Sequence, residues 1–151
     1  MKNKIIELTE NILADIVKSD WESYKTKCDA EMSCFEPESI GNLITGINFH
    51  RFYFEHTPHT KTKPTIHFNI INPHVVILSD TCAVIAYIRI MQYVATDGSV
   101  KTNQSEETRV WQQGEDGEWK CVHYHRSTGE DEFDLRFLKF VYYLKFQKSF
   151  L

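Results

Sequence analysis

Residues 82–94, CAVIAYIRIMQYV, constrain the fold more than any other stretch: a β-branched and aromatic run of strand character with one arginine, Arg89, at its centre. Burying a guanidinium costs on the order of several kcal/mol unless an anion answers it. The fold must therefore supply an anion or admit one. Strand alternation places Ala83, Ile85, Tyr87, Arg89, Met91 and Tyr93 on one face and Val84, Ala86, Ile88, Ile90 and Val94 on the other. The composition of both faces predicts that both are largely covered.

Two further strand-like segments each carry one arginine. Arg109 lies in EETRVWQ, with Glu107 and Trp111 on its face, and Arg126 ends WKCVHYHR. Three arginines on three successive strands are placed to converge. One reading pairs each with a nearby carboxylate, Glu106, Glu107 or Glu55, as a structural ion pair. The other is a recessed cationic pocket for a carboxylate or phosphate, which the planar fork of arginine binds through paired hydrogen bonds. The residues alone leave both open.

The chain of 151 residues is long enough for one domain with a real core, and its 42% hydrophobic and 13% aromatic content is that of a globular protein. A formal net charge of -4, with no basic patch interleaved with aromatics before the last twenty residues, argues against nucleic acid as a partner. Cys28, Cys34, Cys82 and Cys121 are far apart with no C-x-x-C pair, and the N-terminus lacks a charged segment leading into an apolar signal core. A cytoplasmic protein with free thiols is expected, with Cys82 and Cys121 as small core residues.

Ile5, Ile6, Leu8, Ile12, Leu13, Ile16 and Val17, then Trp21, Tyr24 and Cys28, recur with a 3.6-residue rhythm and predict an amphipathic helix. Ser19 with Glu22 has the form of a capping box, so the helix is expected to stop near Lys18 and restart at Asp20. MSCFE and NLITG read as brief strands, and INFHRFYFEHT as an aromatic-rich helix anchored by Phe49, Phe52 and Tyr53. Four long strands follow up to Arg126. Asp97-Gly98 and Asp116-Gly117 predict hairpins and a mostly antiparallel sheet, while Asn72-Pro73 predicts a bulge that bends the first strand. Bent around helices, such a sheet forms a cone with an interior. The last part, FDLRFLKFVYYLKFQKSFL, carries Arg136, Lys139, Lys145 and Lys148 against Asp134. Repeated lysines exclude a membrane span of about 20 apolar residues, leaving a packed extra element, an assembly arm or a partly disordered tail.

Chemistry-bearing motifs are few. His123 and His125 share a strand face without an evident third ligand, so no metal is expected there. No nucleophile elbow, glycine-rich phosphate loop or kinase catalytic loop is present, and no cofactor is implied.

The segments CFEPESIGNLITGINFHRFYFE (34–55), INPHVVIL (71–78), AYIRIMQY (86–93), QSEETRVWQ (104–112) and GEWKCVHYHRS (117–127) resemble, in order, the association or hub domain of calcium/calmodulin-dependent protein kinase II. The resemblance covers about residues 3–128. It implies an α+β cone of the NTF2-like or SnoaL-like type, its curved, mostly antiparallel sheet wrapped around N-terminal helices. It further implies a non-catalytic module that self-assembles into a closed double ring, a homododecamer or homotetradecamer, and gathers kinase domains around it. The family's pocket is lined by basic residues, which match His50, Arg89, Arg109 and Arg126 here. It accepts small carboxylates related to γ-hydroxybutyrate and segments of the regulatory region.

Residues 1–128 are thus expected to form the association domain and 129–151 a tail of separate character. No kinase or calmodulin-binding segment precedes Met1, which implies an excised domain or a free-standing hub homologue. The loop HTPHTKTK (56–63) departs from the family with Pro58 where relatives can carry a tryptophan, which bears on ligand gating. The alternative function is that of the isomerases and cyclases that share the cone. These need a tuned carboxylate or tyrosine in the cavity, whereas the cavity candidates here are mainly guanidinium groups, which do not exchange protons near neutral pH. His50 is then the one candidate proton carrier.

Overall fold

The computed structural model describes residues 1–56, 66–95 and 97–128. Helix α1 (Lys2–Lys18) and helix α2 (Trp21–Lys27) meet at a sharp break. Ser19 closes α1 in the left-handed region at φ 56, and the side chain of Asp20 accepts the backbone N–H of Ser23 at 3.0 Å. The break falls where the sequence predicts it. The cap is Asp20 and not the Ser19–Glu22 box, because Ser19 is already committed to terminating α1. Ile5, Ile12 and Leu13 of α1 are buried, and between them Thr9 accepts a hydrogen bond from the Trp111 indole N–H at 3.2 Å.

Strand β1 (Cys28–Phe35) leads through a single 3-10 turn (Pro37–Ser39) to the two-residue strand β2 (Ile44–Thr45) and helix α3 (Asn48–His56). The sequence reading anchors α3 through Phe49, Phe52 and Tyr53. Instead, Ile47, His50 and Phe54 face the core at helical spacing, and Phe52 is 40% exposed. Aromatic content alone did not reveal that a histidine lies at the centre of the buried stripe.

Strands β3 (Ile66–Ser79), β4 (Cys82–Val94), β5 (Val100–Gln113) and β6 (Trp119–Thr128) complete a six-stranded sheet of order β2-β1-β6-β5-β4-β3. All neighbours run antiparallel except β1 and β6. Gly98 and Gly117 take φ 82 and φ 80 in the Asp-Gly turns, a conformation that costs a residue without Cβ little. In β3 the register slips between Ile71 and His74, with Asn72 at φ 50. Pro73 is tolerated there because, among the described strands, β3 lies at the edge of the sheet and pairs with β4 alone.

The concave face of the sheet carries Ala83, Ile85, Tyr87 and Arg89 from β4 and Ser105, Glu107, Arg109 and Trp111 from β5, all buried. The opposite face differs from expectation. Ala86 is exposed, as are Val76, Leu78 and Val94 at 42%, 60% and 47%. The two faces of β4 are both apolar, but the described helices pack on the concave side. Among the described residues no helix is long and apolar enough to cross a membrane. The tail beyond residue 128 and the Pro58 loop lie outside the described residues.

Candidate functional site

Arg89 and Arg109 occupy inward positions of β4 and β5, and their chains end on opposite sides of one carboxylate. Arg89 Nε lies 2.9 Å from Glu107 Oε1, and Arg109 Nη2 lies 3.6 Å from Glu107 Oε2. Glu107, 2% exposed, also accepts the Tyr87 hydroxyl at 2.5 Å and the Ser105 hydroxyl at 3.0 Å. Burial by itself would raise this carboxyl, but Arg89 and then Arg109 outweigh it and hold it below the ordinary glutamate value.

Arg109 is fully buried. Its Nε donates to the Tyr87 oxygen at 3.0 Å, and its guanidinium carbon sits 4.0 Å from the centroid of the Tyr124 ring, a cation–π contact in a dry setting. Neither Arg89 Nε nor Arg109 Nη2 has a hydrogen-bond partner. The first is close to Glu107, yet its N–H is not aimed at the oxygen, so the contact is an ion pair without a hydrogen bond. Two buried donors therefore remain unsatisfied beside a hollow, an unusual state for buried polar groups.

Arg126 joins them from β6, but its partners come from elsewhere. Its Nη2 contacts Glu38 at 2.5 Å and Glu36 at 3.6 Å, both at the end of β1. Glu55, one carboxylate considered from sequence, pairs with Arg51 on the surface instead, and Glu106 accepts the Ser127 hydroxyl. Glu36 and Glu38 were not considered because they flank Pro37, far from the arginine strands in sequence; only the parallel β1–β6 pairing brings them close.

His50, on α3, completes the group. Its Nδ1 is 2.7 Å from the Tyr24 hydroxyl oxygen, and its Nε2 is 3.4 Å from Glu36 Oε1 and 3.4 Å from Cys34 Sγ. Burial would raise the Glu36 carboxyl, but the neighbouring His50, followed by Arg126, lowers it. Burial also pushes the hydroxyls of Tyr24, Tyr87 and Tyr124 upward and the Cys34 thiol up to about 12.

His50, Arg89, Arg109 and Arg126 thus line one cavity of about 230 Å³, together with Glu36 and Glu38. Its volume suits a molecule of few heavy atoms, below the common range of about 300–1,000 Å³ for ligand sites. The arginines converge on one cavity, and each already faces a carboxylate, Glu107 for Arg89 and Arg109 and Glu36 and Glu38 for Arg126. Besides His50, the wall presents carboxylates, protonated phenols and guanidinium groups, a set suited to holding charge by hydrogen bonding.

The chain matches, over residues 1–130, the family model described as calcium/calmodulin dependent protein kinase II association domain. It is 49% identical over 126 residues to the calcium/calmodulin-dependent protein kinase type II subunit delta of Oryctolagus cuniculus, covering 83% of this chain. The chain belongs to the calcium/calmodulin-dependent protein kinase II association domain family. It spans 23% of the length of that rabbit relative. Among solved structures it is similar to the association domain of C. elegans CaMKII, at 42% identity and TM-score 0.76, covering 84% of this chain and 95% of that one. The CaMKII hub homology domain of Chlamydamonas reinhardtii has 38% identity and TM-score 0.79, covering 85% and 98%. An NTF2-like superfamily protein of Salmonella enterica, at 23% identity and TM-score 0.66, covers 87% and 95% and shares the fold. The association-domain cone expected from sequence is therefore the fold observed. The matched region is an association domain and not a kinase catalytic domain.

Proposed function

We propose that this association domain is a self-assembling hub that closes into a double ring and organises kinase subunits, and that its arginine-lined cavity receives a small carboxylate or a peptide carboxylate. The supporting observation is the convex face that the described helices leave open. Val76 and Leu78 of β3 stand exposed beside the apolar outer residues of β4, on a sheet that ends in a 14-residue edge strand. Apolar sheet area of this kind, left open beside an unpaired edge, favours contact with another protein surface. A second copy fits the family and satisfies both features in a closed symmetric assembly. Modules attached to such a ring meet at high effective concentration, which favours reactions between neighbours.

Native mass spectrometry of the full chain tests assembly by giving the subunit number directly, with a closed even-numbered oligomer expected. A monomer at micromolar concentration by light scattering refutes the hub reading. Leu78→Glu places a charge on the convex face and is expected to reduce the oligomer. An unchanged ring in that variant removes this face from the interface.

A further inference from the structure

Cys34, Glu36 and His50 form a cluster that the arginine pocket does not explain. Cys34 and Glu36 sit two residues apart on the inward side at the end of β1, and His50 reaches them from α3. All three are buried, and their ligand atoms lie within 4.8 Å of one another. The sequence reading sought metal ligands at His123 and His125; this trio lies on the opposite face of the sheet.

The geometry points to a tetrahedral site for a zinc-class divalent cation, held by Cys34 Sγ, Glu36 Oε1 and His50 Nε2, with its fourth position opening toward the cavity. In a tetrahedral zinc site, bond lengths of about 2.3 Å to sulfur and about 2.0 Å to nitrogen and oxygen set the ligand spacing. They put nitrogen about 3.5 Å from sulfur and about 3.3 Å from oxygen. The observed separations from His50 Nε2 are 3.4 Å to Cys34 Sγ and 3.4 Å to Glu36 Oε1. A direct charge-assisted hydrogen bond between His50 and Glu36 would be shorter, about 2.7–2.9 Å. Nε2 also has one proton or one lone pair, so it serves one of these two neighbours by hydrogen bonding, whereas a cation between them serves both.

The far side of the ring is arranged to match. The Tyr24 hydroxyl oxygen lies 2.7 Å from His50 Nδ1. With the Tyr24 oxygen accepting the Nδ1 proton, the Nε2 lone pair faces Cys34 and Glu36. Fixing the tautomer through the second nitrogen is how histidine ligands are oriented for metal. The Cys34 proton leaves to solvent as the thiolate binds, and the thiolate and the Glu36 carboxylate together neutralise a divalent ion. Glu36 also accepts from Tyr53 at 3.4 Å and faces Arg126 at 3.6 Å through its other oxygen, so its coordinating oxygen is held in place.

Cobalt(II) titration of the reduced full chain tests the site. One equivalent is expected to bind with a thiolate-to-cobalt charge-transfer band and the intense visible bands of a four-coordinate ion, both bleached by zinc(II). Cys34→Ala, a small change at a buried position, is expected to remove the charge-transfer band and weaken binding about 100-fold or more. Cys82→Ala leaves both intact, and Tyr24→Phe keeps the stoichiometry while weakening binding about 10- to 100-fold. Absence of saturable cobalt binding overturns the proposal. An unchanged spectrum in Cys34→Ala overturns it equally, because the ion then sits elsewhere.

Discussion

Glu107 carries two guanidinium groups, and removing its charge is the most demanding test of the site. In Glu107→Gln the side-chain volume is kept, and the single amide oxygen still accepts one of the two hydroxyls, Tyr87 at 2.5 Å from Oε2 or Ser105 at 3.0 Å from Oε1, while the amide NH2 meets the other. What disappears is the one carboxylate among the described residues that pairs with Arg89, at 2.9 Å, and Arg109, at 3.6 Å, at a position 2% exposed. Breaking a buried pair from one side costs about 3–5 kcal/mol. With an unfolding entropy of about 2.1 cal/mol/K per residue, the described residues of the domain give roughly 0.25 kcal/mol/K, so the midpoint should fall by about 12–20 °C. Thermal unfolding followed by calorimetry at fixed protein concentration measures this, since assembly makes the midpoint concentration-dependent. Glu106→Gln, on the exposed face of the same strand, is the control and should shift it by less than about 2 °C. A carboxylate ligand should restore part of the loss, because it supplies the missing anion. A fall under about 4 °C for Glu107→Gln, or no recovery with carboxylate, would refute the reasoning.

Arg89→Gln is expected to weaken binding of a small carboxylate about tenfold or more while leaving the subunit number unchanged. Unchanged affinity by titration calorimetry would remove Arg89 from the binding site, and loss of the oligomer would give it a structural task. Thr9→Val leaves the buried Trp111 indole N–H, now 3.2 Å from Thr9 Oγ1, without an acceptor. A loss of about 1–3 kcal/mol in denaturant unfolding is expected, and a neutral result would mean that the indole finds another partner. Acid tests the carboxylates together. Glu36 and Glu107 are held below the ordinary value in the folded chain, so the unfolded chain binds their protons first. Their stabilisation is complete above the unfolded value of about 4.3 and disappears as pH falls through the folded values. The unfolding midpoint should therefore drop below about pH 4, less steeply in Glu107→Gln; equal slopes would contradict the assignment.

Period-two patterning and turn chemistry made β3–β6 and their hairpins legible, because an Asp-Gly pair and a half-apolar strand are local signals. The convergence of Arg89 and Arg109 was legible for the same reason. Arg126 was not, strictly, since Trp119 and Cys121 face inward and simple alternation would turn Arg126 outward. The register between β5 and β6 slips so that Trp111 pairs with Cys121 but Val110 with His123. Val122 is the extra residue, and past it Tyr124 and Arg126 face the cavity. A one-residue bulge leaves no mark in composition. Glu36 and Glu38 were hidden for a different reason, the parallel pairing of β1 with β6, which joins segments some 90 residues apart. Phe52 misled because an aromatic residue in a short helix was taken for core, when His50 and Phe54 fill that stripe.

The three arginines of the cavity already stand opposite Glu36, Glu38 and Glu107. An arriving anion therefore enters as a competitor, displacing a resident carboxylate or completing the donors that it leaves unused. If the cavity binds anions as proposed, it would act as an ion exchanger with little long-range pull on anions in solution. Its discrimination rests on shape and on the direction of N–H bonds, so two acids of equal charge but different length should be told apart more sharply than two of equal length and different charge.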